Sequence, residues 1–90
     1  MSFRNATVQK NGAEISITPI EIKILKKLYD NKNYIVSTES LCDTIWGVDS
    51  FGYENSLTVH IRKIREKIEE NPSKPQYLKT AKGLGYKLLS

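Results

Sequence analysis

A chain of 90 residues with 39% hydrophobic content can build one small domain around a single core. It is too short for a second domain or for a deep enclosed pocket, and no nucleophile and base stand at a suggestive spacing, so we do not expect an enzyme. The formal net charge of +4 at pH 7 permits nucleic-acid binding without requiring it. No run of about 18 apolar residues is present, so we expect no membrane association.

The single cysteine, Cys42, excludes an intrachain disulfide and is typical of a reducing, cytoplasmic compartment. Free cysteines are most often packed as small hydrophobic residues, so we expect Cys42 inside the core rather than as a reactive thiol. The only histidine, His60, has no ligand spacing to Cys42. The sequence therefore predicts no metal site and no cofactor.

The N-terminal residues 3–17 predict a β-hairpin. Val8 precedes and Ile15 follows an Asn11-Gly12 dipeptide, which favours a tight turn with positive φ. An isolated hairpin is only marginally stable in water, so this one should pack on the helices.

The first helix is predicted over about residues 19–30. Its start has three agreeing signals: Thr18 as the N-cap, Pro19 at the first helical position, and Glu21 three residues after the cap. Its apolar stripe comprises Ile20, Ile24, Leu25 and Leu28.

The second helix is predicted over about residues 38–46, with Ser37 as its N-cap and Gly47 after its end. Trp46 could bind a partner from the surface, but an aromatic residue at this place more often closes the core, and we expect it to be buried. Residues 48–54 contain two aromatic residues and one glycine and predict a structured loop.

A third helix is predicted over about residues 55–70, ending before Pro72. Its buried stripe comprises Leu57, Ile61, Ile64 and Ile68. The other faces carry short, polar and basic side chains, namely Ser56, Val59, His60, Arg62 and Lys63. The stretch between positions 62 and 67 has four basic residues and one acid. Such a face fits the major groove of duplex DNA, which admits a helix and offers acceptors to Lys and Arg.

The C-terminal residues, about 77–89, predict a second hairpin with Gly83 and Gly85 in its loop and Lys82 at its tip. Positions 74–87 contain four lysines and no acid. The order hairpin, helix, helix, loop, helix, hairpin indicates an α+β winged helix-turn-helix, with the third helix as reader and the last hairpin as the wing. Residues 1–90 then form a single domain.

At this point the chain resembles the C-terminal effector domain of bacterial OmpR/PhoB-type two-component response regulators. The resemblance covers nearly the whole chain. It rests on five segments in the right order, namely Thr18-Pro19-Ile20-Glu21 with Ile24, Leu25 and Leu28, Val36-Ser37 with Leu41, Trp46-Gly47, residues 57–65 and residues 80–87. Lys63 stands where the family often has arginine, so we expect a different target preference from that of other members.

The resemblance implies sequence-specific binding of double-stranded DNA in transcription regulation, at direct-repeat half-sites and as a head-to-tail dimer. It also implies an upstream receiver domain, which this chain lacks, and a sensor kinase acting on the full-length protein. Residues 3–17 match only the last two strands of the family's N-terminal sheet, so we expect the chain to be a piece that begins near the domain boundary.

Residue roles follow from spacing together with the resemblance. The expected base contacts are Ser56, Val59 and Lys63, and the expected phosphate contacts are His60, Arg62 and Arg65. We expect Lys82 to enter the minor groove. The resemblance implies contact with RNA polymerase through the loop residues Val48, Asp49, Ser50, Phe51, Gly52 and Tyr53.

Each role has a structural alternative. Ser56 could cap the third helix, Arg62 and Arg65 could pair with Glu66 and Glu69, and Lys82 could be solvated beside a tight turn. The loop could be a connector that packs on itself. At the level of the domain, the alternative is a winged-helix protein-interaction module, since a fold does not fix a function; RNA binding is less favoured because no aromatic platform is evident.

Overall fold

The computed structural model describes residues 7–10, 12–47 and 53–89. In chain order the elements are β1 (Thr7–Lys10), β2 (Ala13–Ser16), α1 (Pro19–Asp30), β3 (Val36–Ser37), α2 (Thr38–Trp46), α3 (Glu54–Ile68), β4 (Leu78–Ala81) and β5 (Gly85–Leu88). Three helices with an N-terminal hairpin and a C-terminal hairpin confirm the predicted α+β winged-helix fold. Within the described ranges, no helix combines the length and the apolar content needed to cross a membrane.

The N-terminal hairpin pairs β1 with β2 in antiparallel register, from Thr7 opposite Ser16 to Lys10 opposite Ala13. Gly12 has φ of 80°, as the predicted tight turn requires. Residues 3–6 and Asn11, which the prediction included, lie outside the described residues.

The capping box at the start of α1 is confirmed. The amide N–H of Glu21 donates to Thr18 Oγ1 at 3.3 Å, and the amide N–H of Thr18 donates to Glu21 Oε1 at 2.9 Å. Ser37 likewise caps α2, since its Oγ accepts from the Ser40 amide at 3.0 Å. Both helices therefore begin where their polar side chains satisfy amide groups that no helical carbonyl can reach.

The C-terminal hairpin belongs to a three-stranded sheet in the order β3-β5-β4, in which β3 was not predicted as a strand. Val36 lies opposite Tyr86 and Ser37 opposite Gly85. The short β3 segment thereby ties the start of α2 to the wing. Ile35, just before it, remains 48% exposed.

One hydrophobic core lies between the helices and this sheet. Its buried members are Ile17, Ile24, Leu25, Leu28, Val36, Leu41, Cys42, Leu57, Ile61, Ile64, Leu78 and Leu88. Burial of Cys42 confirms its packing role. Trp46 is only half-buried against the core, so its predicted burial is partial.

Candidate nucleic-acid interface

The helix α3 has one buried side and one exposed side. Leu57, Ile61 and Ile64 are at most 1% exposed and attach the helix to the core, and Ile68 packs partly buried at its end. Tyr53 is the N-cap residue and contributes no side-chain cap. Ser56 therefore lies inside the first turn, and the alternative of Ser56 as the cap residue is wrong.

The exposed side of α3 carries Ser56, Val59, Arg62 and Lys63. At 100° per residue these four positions fall within about one third of the helix circumference, opposite the buried stripe. Val59 exposes 38% of its surface although it is apolar. The structure thus places the three expected base contacts and one expected phosphate contact on a single solvent-facing surface, which we call the α3 face.

His60 lies at the side of α3 that faces α2. Its ring centroid is 6.2 Å from that of Trp46, and Trp46 stacks on Tyr53 with centroids 4.7 Å apart and planes 17° apart. His60 is half-buried.

Arg65 lies on the other side of α3 and contacts the wing. Its Nε donates to the carbonyl oxygen of Leu78 at 3.0 Å, and its Nη2 donates to Thr80 Oγ1 at 2.7 Å. The guanidinium also lies 6.0 Å from the centre of the Tyr86 ring. Two of its five N–H groups are therefore used within the protein, and a phosphate contact has to use the others. Pairing with Glu69, the structural alternative, is not what the structure shows.

Glu69, directly after α3, was considered in the sequence analysis only as a possible ion-pair partner of Arg65. The residue is 1% exposed, and its carboxylate accepts hydrogen bonds from three consecutive backbone amides at the start of the wing and just before it. Oε1 accepts from Gln76 at 2.9 Å, and Oε2 accepts from Tyr77 at 3.0 Å and from Leu78 at 2.8 Å. Nothing local distinguishes Glu69 from the exposed Glu70, because its partners lie seven to nine residues farther along.

Lys67 connects the C-terminal part of α3 to the start of α1. Its Nζ donates to Glu21 Oε1, and the carboxyl group of Glu21 is 1% exposed. Burial raises the pKa of Glu21, but the hydrogen bonds from Lys67 and Thr18 together with the positive charge of Lys67 outweigh burial, so the pKa lies below its ordinary value. The carboxylate form therefore holds α1 and α3 together.

The tip of the wing is a short turn between β4 and β5. The Leu84 amide donates to the Ala81 carbonyl at 2.9 Å, Gly83 has φ of 77°, and Lys82 is exposed. The Leu84 carbonyl accepts from the Thr38 amide at 3.2 Å, which joins the turn to the start of α2. An exposed lysine thus stands on a turn that is held at its base.

Of the loop expected to contact RNA polymerase, residues 48–52 lie outside the described residues. Tyr53 is described, is 40% exposed and stacks on Trp46 as given above. In the described part of the chain, no group of three or more His, Cys, Asp or Glu side chains is arranged to hold a metal ion.

The family described as "Transcriptional regulatory protein, C terminal" matches residues 12–88 of the chain. This chain belongs to that family, the DNA-binding C-terminal domains of OmpR/PhoB-type response regulators. It is 44% identical over 79 residues to the regulatory protein VanR of Enterococcus faecium, covering 87% of this chain and 34% of VanR. It is 39% identical over 84 residues to the uncharacterized transcriptional regulatory protein YcbL of Bacillus subtilis, covering 93% of this chain and 37% of YcbL. The chain therefore spans little more than a third of the length of these relatives.

Solved structures of related proteins have the same fold. The response regulator DrrB of Thermotoga maritima, an OmpR/PhoB homologue, superposes with a TM-score of 0.81 at 33% identity, covering 93% of this chain and 38% of DrrB. The DNA-binding domain of Klebsiella pneumoniae RstA, solved in complex with the RstA box, gives a TM-score of 0.79 at 25% identity, covering 94% of this chain and 84% of that one. The recognition of the family from five sequence segments is confirmed.

Proposed function

We propose that this OmpR/PhoB-type domain binds double-stranded DNA sequence-specifically, with α3 in the major groove and the wing tip at the minor groove. The observation that carries the proposal is the α3 face, whose exposed side chains, two of them basic, oppose a buried apolar stripe. The RstA domain, which has the same fold, was solved with a DNA box bound. That likeness supports DNA as the ligand of this chain.

The chemistry of the α3 face suits base reading. The Lys63 ammonium can donate to acceptors on guanine, the Ser56 hydroxyl can donate or accept, and Val59 can contact the methyl group of thymine. Because Lys63 has a compact ammonium rather than the two-pronged guanidinium of arginine, its base contact is less constrained in direction. These three residues therefore set sequence preference.

The other basic groups fix position on the duplex. Arg62 is exposed at the edge of the α3 face, and His60 and the remaining donors of Arg65 lie at its two sides. Contacts of this kind bind phosphates and carry no sequence information of their own. We assign Lys82, at the far end of the wing, to a narrow minor groove, where the negative potential is strongest.

For the longer protein that the relatives indicate, we propose a cytoplasmic response regulator. Its receiver domain would precede this chain and be phosphorylated by a sensor kinase. Two copies would then bind direct-repeat half-sites head to tail, and residues 48–53 would contact RNA polymerase. Only Tyr53 of that segment is described; the residue is 40% exposed, and its ring stacks on Trp46.

In vitro selection of duplexes from a random library tests the proposal. At moderate salt we expect enrichment of a direct repeat whose half-sites lie about one helical turn apart. Steep salt dependence without enrichment would contradict sequence specificity. Absence of binding at every salt concentration would favour the protein-interaction alternative.

A further inference from the structure

We infer that Glu69 and Arg65 are positioning residues that hold the wing at a fixed angle to α3, so that Lys82 and the α3 face reach DNA together. This inference rests on the proposed DNA binding. It concerns hydrogen bonds that two charged side chains make within the protein, in addition to the phosphate contact proposed for Arg65.

Among the strands that the structure describes, β4 lies at the edge of its sheet, since the order is β3-β5-β4. Edge strands leave backbone groups without a neighbouring strand, and those groups need other partners. At Leu78 both groups are bonded to α3 or its C-terminal cap: the amide donates to Glu69 Oε2 at 2.8 Å and the carbonyl accepts from Arg65 Nε at 3.0 Å. Two side chains thus take the place of a further strand.

The attachment to α3 is direct at both residues. Arg65 lies in the last turn of the helix, and Glu69 is its C-cap residue, whose amide donates to the Arg65 carbonyl at 2.9 Å. Glu69 is buried, and its two oxygens are engaged by the amides of Gln76, Tyr77 and Leu78. A buried carboxylate with this many amide donors is strongly oriented, because each lost bond would leave a buried polar group unpaired.

The site of attachment matters because the wing tip is far from it. Leu78 and Lys82 are four residues apart, which is roughly 13 Å along an extended strand. A tilt of about 10° at Leu78 would move Lys82 by about 2 Å at that strand rise, enough to lose a contact with the minor groove. If the wing were held less firmly on α3, the α3 face and Lys82 would contact DNA independently of each other.

A double-mutant cycle on the selected duplex tests the inference. Glu69→Gln keeps the shape of the side chain but replaces one acceptor oxygen by an NH2 group that faces amide donors. The matched control is Glu70→Gln, which removes the same charge from an exposed neighbour. Three chains serve as backgrounds: the unmodified chain, Glu69→Gln and Glu70→Gln. In each of them Kd is measured alone, with Lys82→Ala added, and with Lys63→Ala added. All measurements are made at a temperature where thermal melts show every variant folded.

We expect Lys82→Ala to weaken binding about tenfold in the unmodified chain and in Glu70→Gln, and less than about twofold in Glu69→Gln. The factor by which Lys63→Ala raises Kd should be the same in all three backgrounds. If Glu69→Gln does not fold, Arg65→Lys serves as the second variant, since lysine cannot reach both Leu78 and Thr80 in the geometry of the guanidinium.

If Lys82→Ala raises Kd by the same factor in Glu69→Gln as in the unmodified chain, the inference is overturned. An equal reduction of the Lys63 factor would also overturn it, because that result indicates general loss of structure. If Lys82→Ala has no effect in the unmodified chain, the proposed minor-groove contact is wrong and the inference falls with it, while the Lys63 factor still tests the α3 face.

Discussion

Gly83 and Gly85 lie two residues apart in the wing and are glycines for different reasons. Gly83 has φ of 77°, and a Cβ there would meet open space. Gly85 has an ordinary φ, but a Cβ there would lie 2.0 Å from the Val36 carbonyl oxygen. The first glycine allows the turn, and the second allows β3 and β5 to approach.

Replacing Gly85 by alanine should therefore cost more stability than replacing Gly83. We expect Gly85→Ala to lower the free energy of unfolding by about 3 kcal/mol, because the backbone of β3 has to move away. Gly83→Ala is the matched control and should cost about 1 kcal/mol for its strained φ. Urea unfolding of both variants measures the two changes in the free energy of unfolding. Equal losses would show that β3 moves away from the added methyl group at little cost in stability.

Lys63 provides the residue-scale test of base reading. We expect Lys63→Ala to change preference at one base position of the selected site, costing about 1–3 kcal/mol on the best duplex and less on duplexes altered at that position. Lys26→Ala, on the exposed side of α1, is the control of equal charge and should leave preference unchanged. Competition binding against single-base variants measures both, and a uniform loss on every duplex would assign Lys63 to phosphate contact.

At the scale of elements, the bond between Glu21 and Lys67 joins α1 to α3, two helices that are far apart in the sequence. The pKa of Glu21 is lower in the folded state than in the unfolded state. The carboxylate of Glu21 therefore stabilises the domain above the unfolded pKa of about 4.3, and this stabilisation is lost as the pH falls through the lower pKa of the folded state. The domain should therefore lose part of its stability in acid through this one carboxyl group.

Glu21→Gln tests that contribution. We expect the variant to be less stable than the unmodified chain at pH 7, and the difference to shrink as the pH falls below about 4.3. Glu70→Gln, which alters an exposed carboxylate, should follow the unmodified chain throughout. Free energies of unfolding measured between neutral and acid pH decide the matter, and a difference that is independent of pH would mean that the charge of Glu21 is not involved.

Elements set by local signals could be predicted from the sequence, and contacts between distant elements could not. The capping box at Thr18 and Glu21 involves residues three apart, and the stripe from Leu57 to Ile64 repeats at helical spacing. The pairing of Val36 with Tyr86 depends on the fold as a whole, and so does the burial of Glu69. The α3 face could be predicted because it is the complement of the stripe, whereas the engagement of Arg65 with the wing could not.

At the scale of the whole molecule, the net charge of +4 is less informative than where the charge lies. Lys63 and Arg62 are on the α3 face and Lys82 is at the wing tip, and all three are exposed. Binding to duplex DNA releases about one counterion per neutralised phosphate, so affinity should fall linearly with salt on logarithmic axes.

Arg62→Ala should reduce the slope of that line by about one and weaken binding to all duplexes alike. Lys26→Ala removes the same charge from α1 and should leave the slope unchanged. Fluorescence anisotropy titrations over a series of salt concentrations measure both slopes. The same slope for Arg62→Ala and the unmodified chain would place the guanidinium away from any phosphate.

The aromatic group formed by Trp46, Tyr53 and His60 has a consequence for spectroscopy. The chain contains one tryptophan, so all indole emission comes from the place where α2, the end of the following loop and α3 meet. Indole emission responds to the polarity and the ring contacts around it. A shift of its wavelength or intensity on addition of a duplex would report docking of α3 without any label, and would appear at the same DNA concentrations as the anisotropy change.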